Sequence, residues 1–249
     1  MTFYPNRDFL LEVARGKIAK HALVRVFGIN ADVDTGAEED VVAFGGDQPW
    51  FTSAQSLDVL STSTDDTNSA GTGARSIRVT GLNGSHAAIT EDVNLNGTTA
   101  VTLSNTYIGG VQAKLLTSGT GLVNAGTVTI RNVLDESSVA QMPIGYGQTL
   151  GAVYTVPASK TAYLIGWSTS LYKAVTSGHA EMRLMVFDFA VGWRLEALHE
   201  LDHGGVSVHS RASDLLIPLP AKSAVRVRAK VSANDTGVSS ELSLVVIDN

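Results

Sequence analysis

From residue 41 onward the chain breaks into short alternating segments, each closed by Gly, Asn, Asp, Ser or Thr, and this punctuation constrains the fold most. Residues 56–61 alternate around Leu57 and Val59. Residues 76–82 place Ile77, Val79 and Gly81 on one side, and residues 88–95 alternate through Ile89, Glu91, Val93 and Leu95. Leu82-Asn83-Gly84, Asn96-Gly97 and Asn124-Ala125-Gly126 are tight-turn signals, the last two leading into segments 99–103 and 128–133. Strands at such spacing, joined by turns of this chemistry, build a sandwich or a barrel. A second set follows at 152–156, 161–168, 181–189, 215–219 (with Pro218 and Pro220), 224–231 and 242–247. The strand–turn–strand run VPASKTAYLI suits a jelly-roll-like domain. The expected fold is all-β, with two β-sandwich or jelly-roll-like domains at 41–138 and 139–249. Their boundary falls across DESSVAQMPIG, between 134 and 145.

Before residue 41 the pattern differs. Over 7–22, Leu10, Ala14, Ile18 and Ala22 recur every four residues beside Leu11, a helical stripe interrupted by Gly16. Acids near its start and Lys17, Lys20 and His21 near its end suit the helix dipole. A short apolar run, 23–29, and the loop NADVDTGAEED complete an expected N-terminal helix and docking arm, 1–40.

Hydrophobic residues make up 44% of the 249 and charged residues 17%, which is material for packed cores rather than for disorder. No cysteine is present, which removes disulfides, thiolate metal sites and cysteine nucleophiles. No stretch approaches the ~18 apolar residues of a membrane helix, so a soluble chain made in a cytoplasm, with no membrane partner, is expected. The net charge is −6, yet residues 1–30 hold five Lys/Arg against two acids and carry +3, leaving −9 for the rest. An acidic body argues against nucleic acid as the main partner, because that affinity rests on phosphate neutralisation. The basic leading segment suits an acidic protein surface. Phe9, Leu10, Leu11, Arg15, Ile18, Lys20 and Arg25 are its candidate partner-binding residues.

His199-Glu200-Leu201-Asp202-His203 matches the zinc-protease pattern H-E-x-x-H, and His209 stands where a metzincin places its third ligand. Two histidines one helical turn apart would hold Zn²⁺ while the glutamate polarises water. Val206 occupies the position of the metzincin glycine, Gly205 being one place early, and no methionine follows Met185 to make the Met-turn. Only about ten helix-compatible residues separate Gly192 from Gly204. Residues 194–203 also read as a strand, with Leu195, Ala197, His199 and Leu201 on one face. On a strand the two histidines lie ~13 Å apart along the axis, too far to share an ion. A strand with no metal and no catalytic residue is therefore expected.

Other signals are weaker. GTGAR at 71–75 reads as a turn, since it lacks the lysine and helix of a phosphate cradle. Asp32, Asp34, Glu38, Glu39 and Asp40 lack EF-hand spacing and read as a solvated acidic connector rather than a Ca²⁺ loop. Asn96-Gly97-Thr98 fits a glycosylation sequon but sits in a turn. Trp50, Trp167 and Trp193 are dispersed, and packing accounts for them better than a sugar platform does. No cofactor is expected.

The runs NADVDTGAEEDVVAFGG, TDDTNSAGTGARSIRVTGLNG, VNLNGTTAVTLSNTYI, VNAGTVTIRNV, YGQTLGAVYTVPASKTAYLIGWSTS and VRVRAKVSANDTGVSSELSLVVID resemble structural proteins of tailed bacteriophages, a capsid decoration or cement-like group. The resemblance implies a virion component made in the bacterial host cytoplasm, with two β-domains and no enzymatic role. Its implied partners are the major capsid protein or other virion proteins and further copies of itself, with a trimer favoured at a shell's local three-fold positions. A neck, tail or fibre-base component with a host-contact β-domain is the alternative. A zinc-dependent hydrolase acting through His199, Glu200 and His203 is the minor one.

Overall fold

A computed structural model describes residues 8–173, 178–188, 191–203 and 208–249, with 211–215 as backbone alone. One short helix, α1 (Phe9–Ala14), precedes sixteen strands among the described residues. The fold is all-β, as the turn punctuation requires.

The strands form two sandwiches with separate hydrophobic cores. The first draws on both ends of the chain. One of its sheets runs β1 (His21–Val33), β16 (Thr236–Asp248), β11 (Lys160–Lys173) and β14 (Val208–Leu219) in spatial order. The facing sheet runs β10 (Val153–Thr155), β15 (Ala224–Val231), β12 (His179–Asp188) and β13 (Gly192–Asp202), with β2 (Glu39–Asp40) also paired to β15. Period-2 alternation decides what faces inward. Leu242, Leu244 and Val246 of β16 meet Val225, Val227 and Ala229 of β15 in one buried cluster. β11 keeps both Leu164 and Trp167 inside because a register shift at 164–166 resets its alternation. Pro218 sits on β14, an edge strand, where its missing N–H costs least.

The second sandwich is inserted between β2 and β10. It packs the sheet β6 (Val101–Tyr107), β3 (Gln55–Ser61), β8 (Val128–Asn132), β9 (Ser138–Met142) against β5 (Ala88–Asn94), β4 (Ala74–Leu82), β7 (Gly109–Ser118). Leu57, Ile77, Tyr107, Ile130 and Met142 are fully buried between them. Each such side chain contributes about 1.5–3 kcal/mol of burial free energy. The turn-rich run at 64–74 folds around Asp66, whose carboxylate is wholly buried. It accepts hydrogen bonds from Ser61 Oγ (2.6 Å), Ala74 N (2.7 Å), Ala125 N (2.8 Å) and Gly126 N (2.8 Å). Gly73 leaves room for this knot, since a Cβ there would lie 2.2 Å from Asp66 Oδ1.

Two expectations for the leading segment change. The helix expected over 7–22 ends at Ala14, because Gly16 adopts φ +67° and closes it. The Gly16 N–H bonds Val13 O (2.9 Å) and the Lys17 N–H bonds Glu12 O (2.9 Å), the Schellman pattern that left-handed glycine allows. Residues 21–33 do not hang free as an arm. They pair along β16 from His21↔Ile247 to Val33↔Thr236 and belong to the first sandwich. Residues 138–142, on the expected boundary, are a strand of the inserted sandwich, and the chain crosses back after them.

The two crossings, at 40–43 and 150–152, run together past β1. Ala43 N donates to Leu150 O (3.0 Å), Ala152 N to Val41 O (2.9 Å) and Gly151 N to Phe27 O (2.9 Å). Gly28 makes this closeness possible: a Cβ there would lie 2.2 Å from both Ala152 N and Val41 O. Those atoms are backbone and hydrogen-bonded, so they have no room to yield. Gly28→Ala is therefore expected to destabilise the protein by about 3 kcal/mol or more, through overpacking. Gly36→Ala, with nothing within 4 Å of the new Cβ, is expected to be neutral. Urea denaturation of the two variants beside the parent checks both.

Candidate functional site

Four of the seven candidate partner-binding residues come together on the outer face of the β1–β16–β11–β14 sheet. Asp8 caps α1, its Oδ1 accepting from Leu10 N (2.9 Å) and Leu11 N (3.4 Å). The helix buries Val13 and Glu12, and Glu12 takes a hydrogen bond from Arg15 Nη1 (2.9 Å). Phe9 and Leu11 stay about half exposed, at 49% and 55%. Phe9 meets the His21 ring edge-on at 5.8 Å. Between this helix and the sheet lies an open apolar groove of about 690 Å³.

Phe9, Leu10, Leu11 and Arg25 line the groove. The other three candidates do not. Arg15 turns to Glu12, Ile18 is half-buried in the turn after the helix, and Lys20 is exposed at φ +64°. The floor comes from residues that sequence reasoning left out of the site, chiefly Tyr163, Ile165, Leu216, Val245 and Ile247. A signal for them existed. Tyr163-Leu164-Ile165 and Leu244-Val245-Val246-Ile247 are apolar on both faces of their strands, and a strand apolar on both faces has both faces covered. Val245 is 95% buried although it faces away from the core.

The acidic run at 32–40 is not simply a solvated connector. Asp40 is wholly buried. Arg226 Nη1 reaches its Oδ2 at 3.1 Å, Gln48 N donates to the same oxygen (2.7 Å), and Arg228 Nε lies 3.5 Å from Oδ1. Glu38 pairs with Arg183 and Arg228, and Glu39 accepts from Asn30 Nδ2 (2.9 Å), Asp34 N (3.2 Å) and Gly46 N (2.8 Å). The reason is the alternation of β15: Val225, Val227 and Ala229 go inward, so Arg226 and Arg228 face out and draw the acids down. Burial holds the Asp40 carboxyl above its ordinary range and the Arg226 guanidinium below its own, each partly restored by the other. Desolvation outweighs attraction at this node, as it does for many buried ion pairs. Asp32 and Asp34 stay outside it, and a side-chain hydrogen bond with Asp235 raises the Asp32 carboxyl.

The H-E-x-x-H segment is strand β13, ending at Asp202, so the helical one-turn spacing that pairs two histidines on a metal is absent. His199 is buried, stacked on Trp167 at 3.8 Å and on His209 at 3.9 Å, with Nδ1 3.1 Å from Thr169 Oγ1. His203 is exposed beyond the strand end. Among the described residues no three His, Cys, Asp or Glu side chains gather at metal-binding distance. Gly205 and Val206, which enter the metzincin comparison, lie outside the described residues.

The tryptophans are not all dispersed. Trp50, on the segment between the outgoing crossing and β3, sits 4.7 Å from the Phe187 ring and 5.1 Å from Trp193, and the Arg226 guanidinium lies 4.1 Å above Trp193. This cluster fastens that segment to the β12–β13 hairpin beside the Asp40 node. Trp167 stands apart in the core, its Nε1 donating to Ser240 Oγ (3.0 Å).

No protein-family model and no curated protein matches the chain. Among solved structures, that of infectious bursal disease virus, Gt strain, matches over 96% of this chain and 78% of its own, at 13% identity and a TM-score of 0.20. The infectious bursal disease virus VP2 subviral particle matches over 92% and 72%, at 14% identity and a TM-score of 0.21. Superposition at this level carries no structural argument.

The Asp40 node gives a quantitative expectation. Asp40→Ala leaves two largely buried guanidiniums without their shared carboxylate and is expected to cost about 3–5 kcal/mol. Combining Asp40→Leu with Arg226→Met removes the charge from both sides and is expected to recover much of that loss. Urea midpoints around the double-mutant cycle measure the coupling.

Proposed function

We propose that this chain is a structural, non-enzymatic virion protein of a tailed bacteriophage, a decoration or cement protein that grips the head shell through its N-terminal face. The groove between α1 and the sheet carries the reading. It is an exposed apolar concavity, it takes in four residues singled out from sequence for partner contact, and it is fixed by a capped helix on a rigid sheet. Exposed apolar patches of this kind mark protein–protein contacts.

The occupant is an apolar segment of the shell protein flanked by acidic residues. Arg25 lines the groove, and Arg15, Lys17 and Lys20 are exposed on the segment between α1 and β1, on a chain whose remainder is acidic. Those charges steer an acidic partner toward the groove. Since residues 21–33 are strand rather than free arm, the contact is a preformed face that loses little conformational entropy on docking. A trimer would present three such faces, and multivalent attachment turns weak single contacts into durable ones.

The test is a localised cryo-EM reconstruction of the particle with this chain identified by its side-chain density. Copies repeated over the shell, with α1 and the groove against the capsid protein, are the expected result. Phe9→Asp combined with Leu11→Asp is expected to lower shell occupancy at least about tenfold, with the fold retained because both side chains are half exposed. Density confined to portal, neck or tail would overturn the decoration role.

A further inference from the structure

A second, polar cleft of about 420 Å³ lies where the inserted sandwich meets β1 and β16. Where the groove is chiefly apolar, this cleft mixes polar and apolar wall in about equal measure. β7 contributes Gln112 and Lys114, the returning crossing contributes Gln148, and β1 contributes Phe27 and Arg25. Among the described residues the side chains of Gln112, Gln148 and Lys114 have no hydrogen-bond or ion-pair partner, although the polar groups around them are committed. Arg78, also on the wall, holds Asp92 with two bonds of 2.7 and 2.8 Å, and Arg25 lies 3.5 Å from Glu241. Phe27 leaves 39% of its surface exposed beside them.

We propose that this cleft binds a saccharide carrying a carboxylate. The assignment goes beyond the shell-binding reading and does not depend on it. A primary amide both donates and accepts, as a sugar hydroxyl does, so two uncommitted amides facing one cleft match vicinal hydroxyls. The Phe27 ring supplies an apolar wall for the C–H face of a pyranose. Arg78 and Arg25 have acidic partners, so Lys114 is the uncompensated charge and selects a carboxylate. Concave sites of this size between two structural units, with few convergent polar groups, are where small ligands bind. An acidic peptide would satisfy Lys114 but leaves the paired amides and the ring without a role.

Isothermal titration of the full chain tests the assignment with three probes: a glucuronate-containing tetrasaccharide, its carboxyl-reduced neutral counterpart, and tetraglutamate. The acidic saccharide is expected to bind, and the neutral one to bind at least about tenfold more weakly. Lys114→Gln is expected to erase that preference, and Gln112→Ala with Gln148→Ala to weaken both saccharides. The three substituted side chains bond nothing in the free protein, so an unchanged thermal midpoint is expected and separates lost binding from lost fold. The assignment is overturned if no saccharide binds at millimolar concentration, if binding survives both sets of substitutions unchanged, or if tetraglutamate binds more tightly than the acidic saccharide. Shell attachment of Lys114→Gln particles, read by the same cryo-EM occupancy, stays at the parent level if the cleft and the groove act independently, as proposed. A parallel loss of attachment would overturn that independence.

Discussion

The architecture depends on two chain crossings passing one strand at van der Waals distance. Residues 40–43 lead out to the inserted sandwich and 150–152 lead back, and between them they occupy the space that a side chain at Gly28 would need. Backbone hydrogen bonds join the crossings to each other, to β1 and to β15, where Val41 N donates to Val227 O (2.9 Å) and Val227 N to Ala152 O (3.0 Å). These backbone donors and acceptors thus find partners where the crossings pack against β1 and β15, as burial demands. Beside it Arg226 and Arg228, on the outer face of β15, hold the buried Asp40 carboxylate. Attraction at that node is partly spent on desolvation, so its contribution is to fix position more than to add stability.

This geometry explains which parts of the fold were legible in the sequence. The strands from 55 to 133 and from 153 to 247 are bounded by Asn-Gly, Asp and Pro signals whose chemistry is local, so alternation and turns located most of them. β15 coincides with its expected limits because VRVRAKV alternates without a break. β7 was missed although Val111, Ala113 and Leu115 alternate with Gln112 and Lys114, because the pattern is short and Leu116, apolar on the opposite face, breaks it. β1 was missed for a different reason. Ala22-Leu23-Val24 continues a helical-looking stripe across Gly16, and only its partner, β16, more than 200 residues away, makes it a strand. Gly16 itself carried the correction, since glycine just past a helical stretch ends it more readily than it interrupts it.

The site was legible to a similar depth. Composition and charge pointed to the leading segment, and Phe9, Leu10, Leu11 and Arg25 do line the groove. The floor of the groove was not assigned, because sequence order separates Tyr163, Leu216 and Val245 and only the sheet order β1–β16–β11–β14 brings them side by side. Trp50 and Trp193 present the same difficulty, since no local pattern connects the segment after an outgoing crossing to a hairpin 140 residues later. The H-E-x-x-H segment shows the converse: a short motif survives in the sequence while strand geometry removes the spacing on which its chemistry rests.

β1 organises both exposed surfaces through its period of two. Leu23, Arg25 and Phe27 point away from the core at about 6.8 Å intervals, while Val26 and Gly28 point inward or against the crossings. Leu23 faces the apolar groove, Phe27 the polar cleft, and Arg25 borders both. The two surfaces are thus neighbours along one strand, with a single exposed guanidinium between them and Glu241 as its counter-charge. A partner that took Arg25 into the groove would release Glu241 toward the cleft and lower the cleft's attraction for a carboxylate. A ligand that drew Arg25 into the cleft would weaken the basic rim of the groove. Such coupling is reciprocal by thermodynamic necessity. It is small here, because Arg25 is well exposed and its charge is screened within about 8–10 Å at ordinary salt, and that leaves the two surfaces close to independent.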